Sequence, residues 1–166
     1  MGGPTLADFT TWFYTATSIP TANLPTNSTF LSDAYNVAIA TVNLQLQTAP
    51  YPNAPLMYTL AVYNLAADRV INFAQDIYGA PLVPNPVADG LPAQVGYFQA
   101  LRIQFGIGKF TGGVVASSSD EGSSVSLDVV DQMKGLTLAQ LQNLKTPWGQ
   151  TYLGIASSIG TLWGLT

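Results

Sequence analysis

The chain is 166 residues long, about one domain, with 48% hydrophobic residues, only 8% charged residues and a net charge of −4. An ordinary soluble domain carries about 25% charged residues, so the polarity here comes mostly from Ser, Thr, Asn and Gln. Cysteine and histidine are both absent, which excludes disulfides, thiolate nucleophiles, Cys/His zinc sites and every histidine acid or base.

A free monomer is kept soluble by a charged surface, whereas the cores of protein interfaces are depleted in Lys, Glu and Asp. So little charge is expected where much of the surface meets other protein, which points to a structural subunit and away from an enzyme; a secreted domain is the plainer alternative. The imbalance is local. Asp120, Glu121, Asp128 and Asp131 lie between Phe110 and Met133 without a Lys or Arg, while the remaining five acids and five bases cancel. Met1 to Leu6 has neither a basic n-region nor an apolar h-region, so no targeting segment is expected there. The most apolar stretch, Pro55 to Tyr78, is interrupted by Asn64, Asp68, Arg69, Asn72, Gln75 and Asp76, a poor membrane span.

Taken in chain order, Thr5-x-x-Asp8 resembles a capping box, and Leu6, Phe9, Phe13 and Ala16 follow at helical spacing. Pro20 and Pro25 close this first short helix. Asn27 or Ser28 can cap a second, with Asp33 early in it and a stripe of Leu31, Ala34, Tyr35, Ala38, Val42 and Leu46. The Pro50–Pro55 stretch is expected to break it. A third helix starts with Pro55 and is expected to run to Gly79 and Pro81. Leu56, Leu60, Tyr63, Ala67, Val70, Ala74 and Ile77 form one face. Met57, Ala61, Leu65 and Ile71 carry the apolar surface round most of the cylinder, as in the centre of a bundle. Asp68 and Arg69 interrupt it, which predicts a polar edge or pairing with neighbours.

Residues 79–92 hold four prolines and little periodicity, an extended loop or arm. Ala93 to Gly106 fits a helix through Tyr97, Phe98, Leu101 and Phe105, although Leu101, Ile103, Phe105 and Ile107 also alternate as in a strand. Val114–Ser118 and Ser124–Val130 read as strands around an Asp120-Glu121-Gly122 turn, so 114–130 is an acidic hairpin. Thr137 can cap a short helix through Leu144, with Lys145 near its negative end. Residues 146–163 form a last helix opened by Thr146-Pro147. Its stripe of Trp148, Tyr152, Ile155 and Ile159, with Trp163 beside it, is expected to be buried in assembly. The fold class is therefore mainly α: a small helical bundle with a β-hairpin and an extended Pro-rich loop, in a single domain over residues 1–166.

Catalytic candidates are few. Asp120 with Glu121, or Asp128 with Asp131, could pair as in glycoside hydrolysis, but a Ser/Gly-rich turn holds carboxylates poorly. A solvated or interface role is expected for these acids, and they do not fit the EF-hand pattern. Lys109 is followed by Phe110, so the glycines around it are no phosphate loop. No metal ligand set and no cofactor motif is found. Five cations in the whole chain cannot form a basic stripe for gripping nucleic acid.

Three segments together carry a resemblance: Tyr58-Thr-Leu-Ala-Val-Tyr-Asn-Leu-Ala-Ala-Asp68, Val115-Ala-Ser-Ser-Ser-Asp-Glu-Gly-Ser-Ser-Val-Ser126 and Leu144-Lys-Thr-Pro-Trp-Gly-Gln-Thr-Tyr-Leu153. In this order the chain resembles the head-to-tail adaptor (connector, neck) subunits of tailed bacteriophages over most of Ala7 to Trp163. In that family an apolar helix precedes a Ser/Gly/Val-rich hairpin, and a Thr-Pro-aromatic-Gly-Gln-x-Tyr signature opens the last helix. The insertion at Gly79–Gly106 departs from the shorter members. The resemblance implies a homo-oligomeric ring, usually twelvefold, at the head–tail junction of the virion, assembled in the bacterial host cytoplasm. Its implied partners are the portal protein, the next neck or tail protein, and DNA passing through the channel without sequence-specific contact. It implies no catalytic residues. Under it, Asp120, Glu121, Asp128 and Asp131 are expected to line the channel or dock on a partner. Another virion protein, such as a tail-completion or capsid accessory subunit, is the alternative, and a carboxylate-dependent hydrolase stands further off.

Overall fold

A computed structural model describes residues 3–48, 53–87, 92–107, 118–120, 123–125 and 142–157. The molecule is mainly helical. Helices α1 (Leu6–Thr17), α2 (Thr29–Thr41) and the short α3 (Gln45–Thr48) lead to α4 (Ala54–Phe73), α5 (Tyr97–Gln104) and α6 (Pro147–Ser157). Two small antiparallel pairs complete it, β1 (Val83–Pro84) with β2 (Gln94–Val95) and β3 (Ser118–Asp120) with β4 (Ser123–Val125).

The capping signals act as the side-chain chemistry predicts. Thr5 accepts from the Asp8 N–H at 3.1 Å and donates its hydroxyl to the Asp8 carboxylate at 2.7 Å. At the other end of α1, Ser18 takes a left-handed conformation and returns its N–H to the Tyr14 carbonyl, after which Pro20 cannot resume the helix. Phe9 and Phe13 are fully buried, while Leu6 is exposed and Ala16 faces solvent. Ser28, of the two candidates, caps α2 by accepting from the Phe30 N–H.

The second helix is shorter than its stripe. Leu31, Ala34, Tyr35, Ala38, Val42 and Leu46 are all buried. However, α2 stops at Thr41, where Val42 turns to extended backbone. The break is made by Asn43, whose side-chain oxygen accepts from the Gln45 N–H at 2.9 Å and starts α3. An asparagine competing with the backbone for a local donor ends a helix without glycine or proline.

Helix α4 is the axis of the bundle. It packs against α1, α2, α3, α5 and α6. Thirteen of its residues are buried, including Asn64, Asp68 and Asn72, so it is covered on most sides, as a predominantly apolar helix must be. Two expectations fail at its ends. Pro55 occupies the second helical position behind Ala54, and Leu56 is exposed. The helix also ends at Phe73, before the Gly79–Pro81 stop, and Ile77 is exposed. The stop is tertiary. Arg102 on α5 donates Nε to the Ile71 carbonyl at 3.0 Å and Nη2 to the Ala74 carbonyl, which satisfies carbonyls the helix leaves open.

The described residues of the Pro-rich arm include a short ribbon. Val83 pairs with Val95 and Pro84 with Gln94, and the Asn85 N–H reaches the Ala93 carbonyl. Asn23 ties the arm down by donating to the Pro81 carbonyl at 3.2 Å. Residues 97–104 are helical, as the first of their two periodicities suggested. Gly96 precedes them, and both carboxylate oxygens of Asp76 accept from the Phe98 and Gln99 N–H groups, at 2.7 and 3.1 Å. In the acidic hairpin Ser118 pairs with Val125 and Asp120 with Ser123. Asp120 therefore ends a strand, whereas the sequence pattern put it in the turn. The helix expected from Thr137 lies mostly outside the described residues.

Candidate assembly interface

Of the residues singled out from sequence, Asp120 sits at the end of β3. Glu121, Asp128, Asp131, Ile159 and Trp163 lie outside the described residues. Trp148, Tyr152 and Ile155 are brought together on one face of α6. They are half-buried and pack against the chain's own core; the Trp148 ring meets Phe105 edge-on at 6.1 Å. The inner side of this stripe is therefore core packing within the chain.

The seam between α4 and α6 is closely packed and hydrogen-bonded. Asp68 is 2% exposed and Thr146 fully buried. The Thr146 hydroxyl donates to Asp68 Oδ1 and accepts from the Gly149 N–H at 2.9 Å, so one side chain caps α6 and fixes it to α4. Gly149 is required by contact. A Cβ there would come within 2.0 Å of the Asn143 carbonyl oxygen and 2.8 Å of Asp68 Oδ1. Gln150 donates to the Leu144 carbonyl at 2.7 Å, and Gln142 donates to Asn72 across the seam at 3.1 Å. Lys145 donates to the Gly106 carbonyl at 3.0 Å, which also ties α5 to this junction. Burial pushes the Asp68 carboxyl up to about 6, against the opposing effects of Thr146, Arg69 and Asn72. Sequence spacing hinted at pairing for Asp68 but could not find Thr146, seventy-eight positions away.

Among the described residues, two apolar surfaces stand out. Between α2 and α4 lies a groove of about 140 Å³ lined by Phe30, Val37, Val70 and Phe73, with Asp33 and Arg69 at its sides. Val37 is 41% exposed and Phe73 63%. The Nε of Arg69 is shut off from solvent and finds no hydrogen-bond acceptor among the described residues. The second place is the arm, where Ile77, Tyr78, Leu82 and Val87 are exposed, Tyr78 completely. Val37 and Phe73 lie outside the stripes read from the sequence, whereas Ile77 was placed on the apolar face of the third helix and is exposed.

Among the described residues no group of three acidic or other ligating side chains is placed to hold a metal ion, and no helix is long and apolar enough to cross a membrane. No protein-family model, curated protein or solved structure matches the chain.

Proposed function

We propose that the protein is a structural subunit of a bacteriophage neck ring, joining the portal of the capsid to the tail and surrounding the DNA channel. The observation that carries this proposal is the meeting of two of the resembling segments. The first ends at Asp68, and the third holds Thr146 and Gly149; they are hydrogen-bonded into one buried seam. Five of the six specified positions of the signature then have a task in the fold, and Gln150 donates to the Leu144 carbonyl. Thr146 caps and anchors, Pro147 opens the helix, Trp148 packs on Phe105, Gly149 admits the close approach, and Tyr152 covers the core.

Charge usage supports the same function. Asp8, Asp76, Arg102 and Lys145 serve helix ends or bind backbone carbonyls within the fold. That leaves surfaces such as the groove and the arm apolar, as suits a subunit touching neighbours on several sides. In a twelvefold ring the three hairpin acids and the adjacent Asp131 would concentrate about four dozen negative charges, a field that acts over a Debye length of ~8 Å. Such an annulus either repels DNA phosphates from the channel wall or docks on a basic surface of the portal or the next neck protein. Docking is favoured, because Val125, Leu127 and Val129 alternate along the hairpin and would give it an apolar face to bury.

Electron cryo-microscopy of purified particles tests the assignment: density for this chain should form a ring between portal and tail. Particles with the chain elsewhere, or without it, would reject it. The hairpin is tested by replacing Asp120, Glu121, Asp128 and Asp131 with Asn or Gln and following portal binding across a salt series. Unchanged affinity and salt slope would rule out docking, and normal DNA ejection by the same variant would remove the channel role.

A further inference from the structure

The two apolar surfaces of one subunit are complementary in chemistry. The groove has aromatic walls, Phe30 from α2 and Phe73 from α4, and Val37 lies two helical turns from Phe30 on the same side of α2. Its volume of about 140 Å³ is below the roughly 300–1,000 Å³ of small-molecule sites, and suits one or two side chains. Asp33 and Arg69 offset each other, so the groove does not select a charged occupant, while the shielded Nε of Arg69 leaves a donor in want of an acceptor.

The arm has the matching properties. From Ile77 to Val87 it contains no charged residue. Pro81, Leu82, Pro84, Pro86 and Val87 are exposed. Each proline offers a carbonyl and no N–H. Proline-rich segments dock on aromatic-lined grooves because flat rings meet flat rings and the extended backbone loses little entropy on binding. Within its own chain the arm is pinned by Asn23 and by pairing with β2, and the groove remains open.

We infer that the arm around Leu82 of one copy seats in the α2–α4 groove of the next copy, making a head-to-tail contact between neighbouring subunits. The contact is heterologous, because groove and arm are different surfaces. Repetition closes a ring when the rotation permits. The inference rests on the ring-subunit proposal and names the surface such a ring would use. Leu82 would enter between Phe30 and Phe73.

The absence of cysteine makes the test clean. Val37→Cys and Leu82→Cys are each placed at exposed positions, so neither should disturb folding. They are oxidised separately, as an equimolar mixture, and as the double variant, both at high concentration in solution and in assembled particles. The mixture should form a cross-linked dimer at least tenfold faster than either single variant. The double variant should give a covalent ladder that ends at the ring number. Adding Phe73→Asp to the double variant should abolish the ladder while far-ultraviolet circular dichroism remains that of the folded chain. Rapid Val37→Cys homodimers would mean a face-to-face pair and overturn the inference, as would a ladder that survives Phe73→Asp. Absence of cross-links in both settings also overturns it. In that case, rings still visible by microscopy would leave the neck function standing on a different contact, whereas no rings at all would remove both.

Discussion

Asp68 carries its carboxyl to a depth where water no longer solvates the charge, and the hydroxyl of Thr146 with the neighbouring Arg69 recovers only part of that loss. The pH dependence that follows runs opposite to the usual one for an aspartate. Below about pH 4 the group is protonated in folded and unfolded chains alike. Between 3.8 and about 6 the unfolded chain releases the proton and the folded chain keeps it, so stability falls as pH rises. The loss is complete above about 6 and amounts to about 3 kcal/mol. Urea unfolding from pH 4 to 7.5 should show this decline in the native protein, and Asp68→Asn, which keeps an acceptor for Thr146, should lack it. Equal slopes in the two proteins would place the titration elsewhere. Gly149 offers a second test beside it. Gly149→Ala drives a Cβ into the Asn143 carbonyl and should cost about 1–3 kcal/mol or more. Gly154→Ala, on the same helix but in open space, should stabilise by up to about 1 kcal/mol. Melting temperatures that moved together would show that helix propensity, and not the seam, governs both.

Helix α5 illustrates how an element of eight residues is held when its own caps are weak. Gly96 has no side chain to offer, and Asp76, twenty-two positions before Phe98, supplies the cap instead. Arg102 from the last turn of α5 closes the end of α4 in return; burial lowers its affinity for protons, and the nearby Asp76 charge opposes that. The two helices thus terminate each other. Asp76→Ala should cost about 1–2 kcal/mol, the scale of a lost N-cap. In Gly96→Ala the new Cβ lies 2.2 Å from the Asp76 carboxyl, so it should displace the same cap at similar cost. Because both changes act on one contact, the double variant should cost clearly less than the sum of the singles. Additive losses in denaturant titrations would mean that Gly96 serves some purpose unrelated to Asp76.

For the molecule as a whole, cooperativity centres on α4, which each of the other described helices touches. Leu65 is 2% exposed near its middle. Leu65→Ala should cost about 2–5 kcal/mol through lost burial and the cavity left behind. The loss should appear in one transition, with circular dichroism and tryptophan fluorescence coinciding. Two separated transitions would show that α6 and the α1–α2 end unfold independently. Outside this core, the surface is apolar at the groove and the arm, so association through them should weaken little with added salt, unlike any docking by the acidic hairpin.

The sequence by itself determined where α1, α2 and α6 begin and which stripe of the second helix is buried. Thr5, Ser28, Pro20 and the α2 stripe act through neighbours a few positions away, and such contacts are present in the local pattern. It also determined that α4 is central, because a helix apolar on most sides has to be surrounded. Only the tertiary structure decided where α4 ends, since Arg102 and not a glycine closes it. The same holds for Thr146, which meets Asp68 across the fold, and for the Pro-rich arm, which folds back on Gln94 and Val95. It decided as well which apolar residues stay outside: Ile77 belongs to the periodic set yet is exposed beyond the end of α4. The physical reason is common to all of these. Caps, close approaches and exposed patches depend on which distant elements come to lie alongside, and periodicity along one helix records only that helix's own faces.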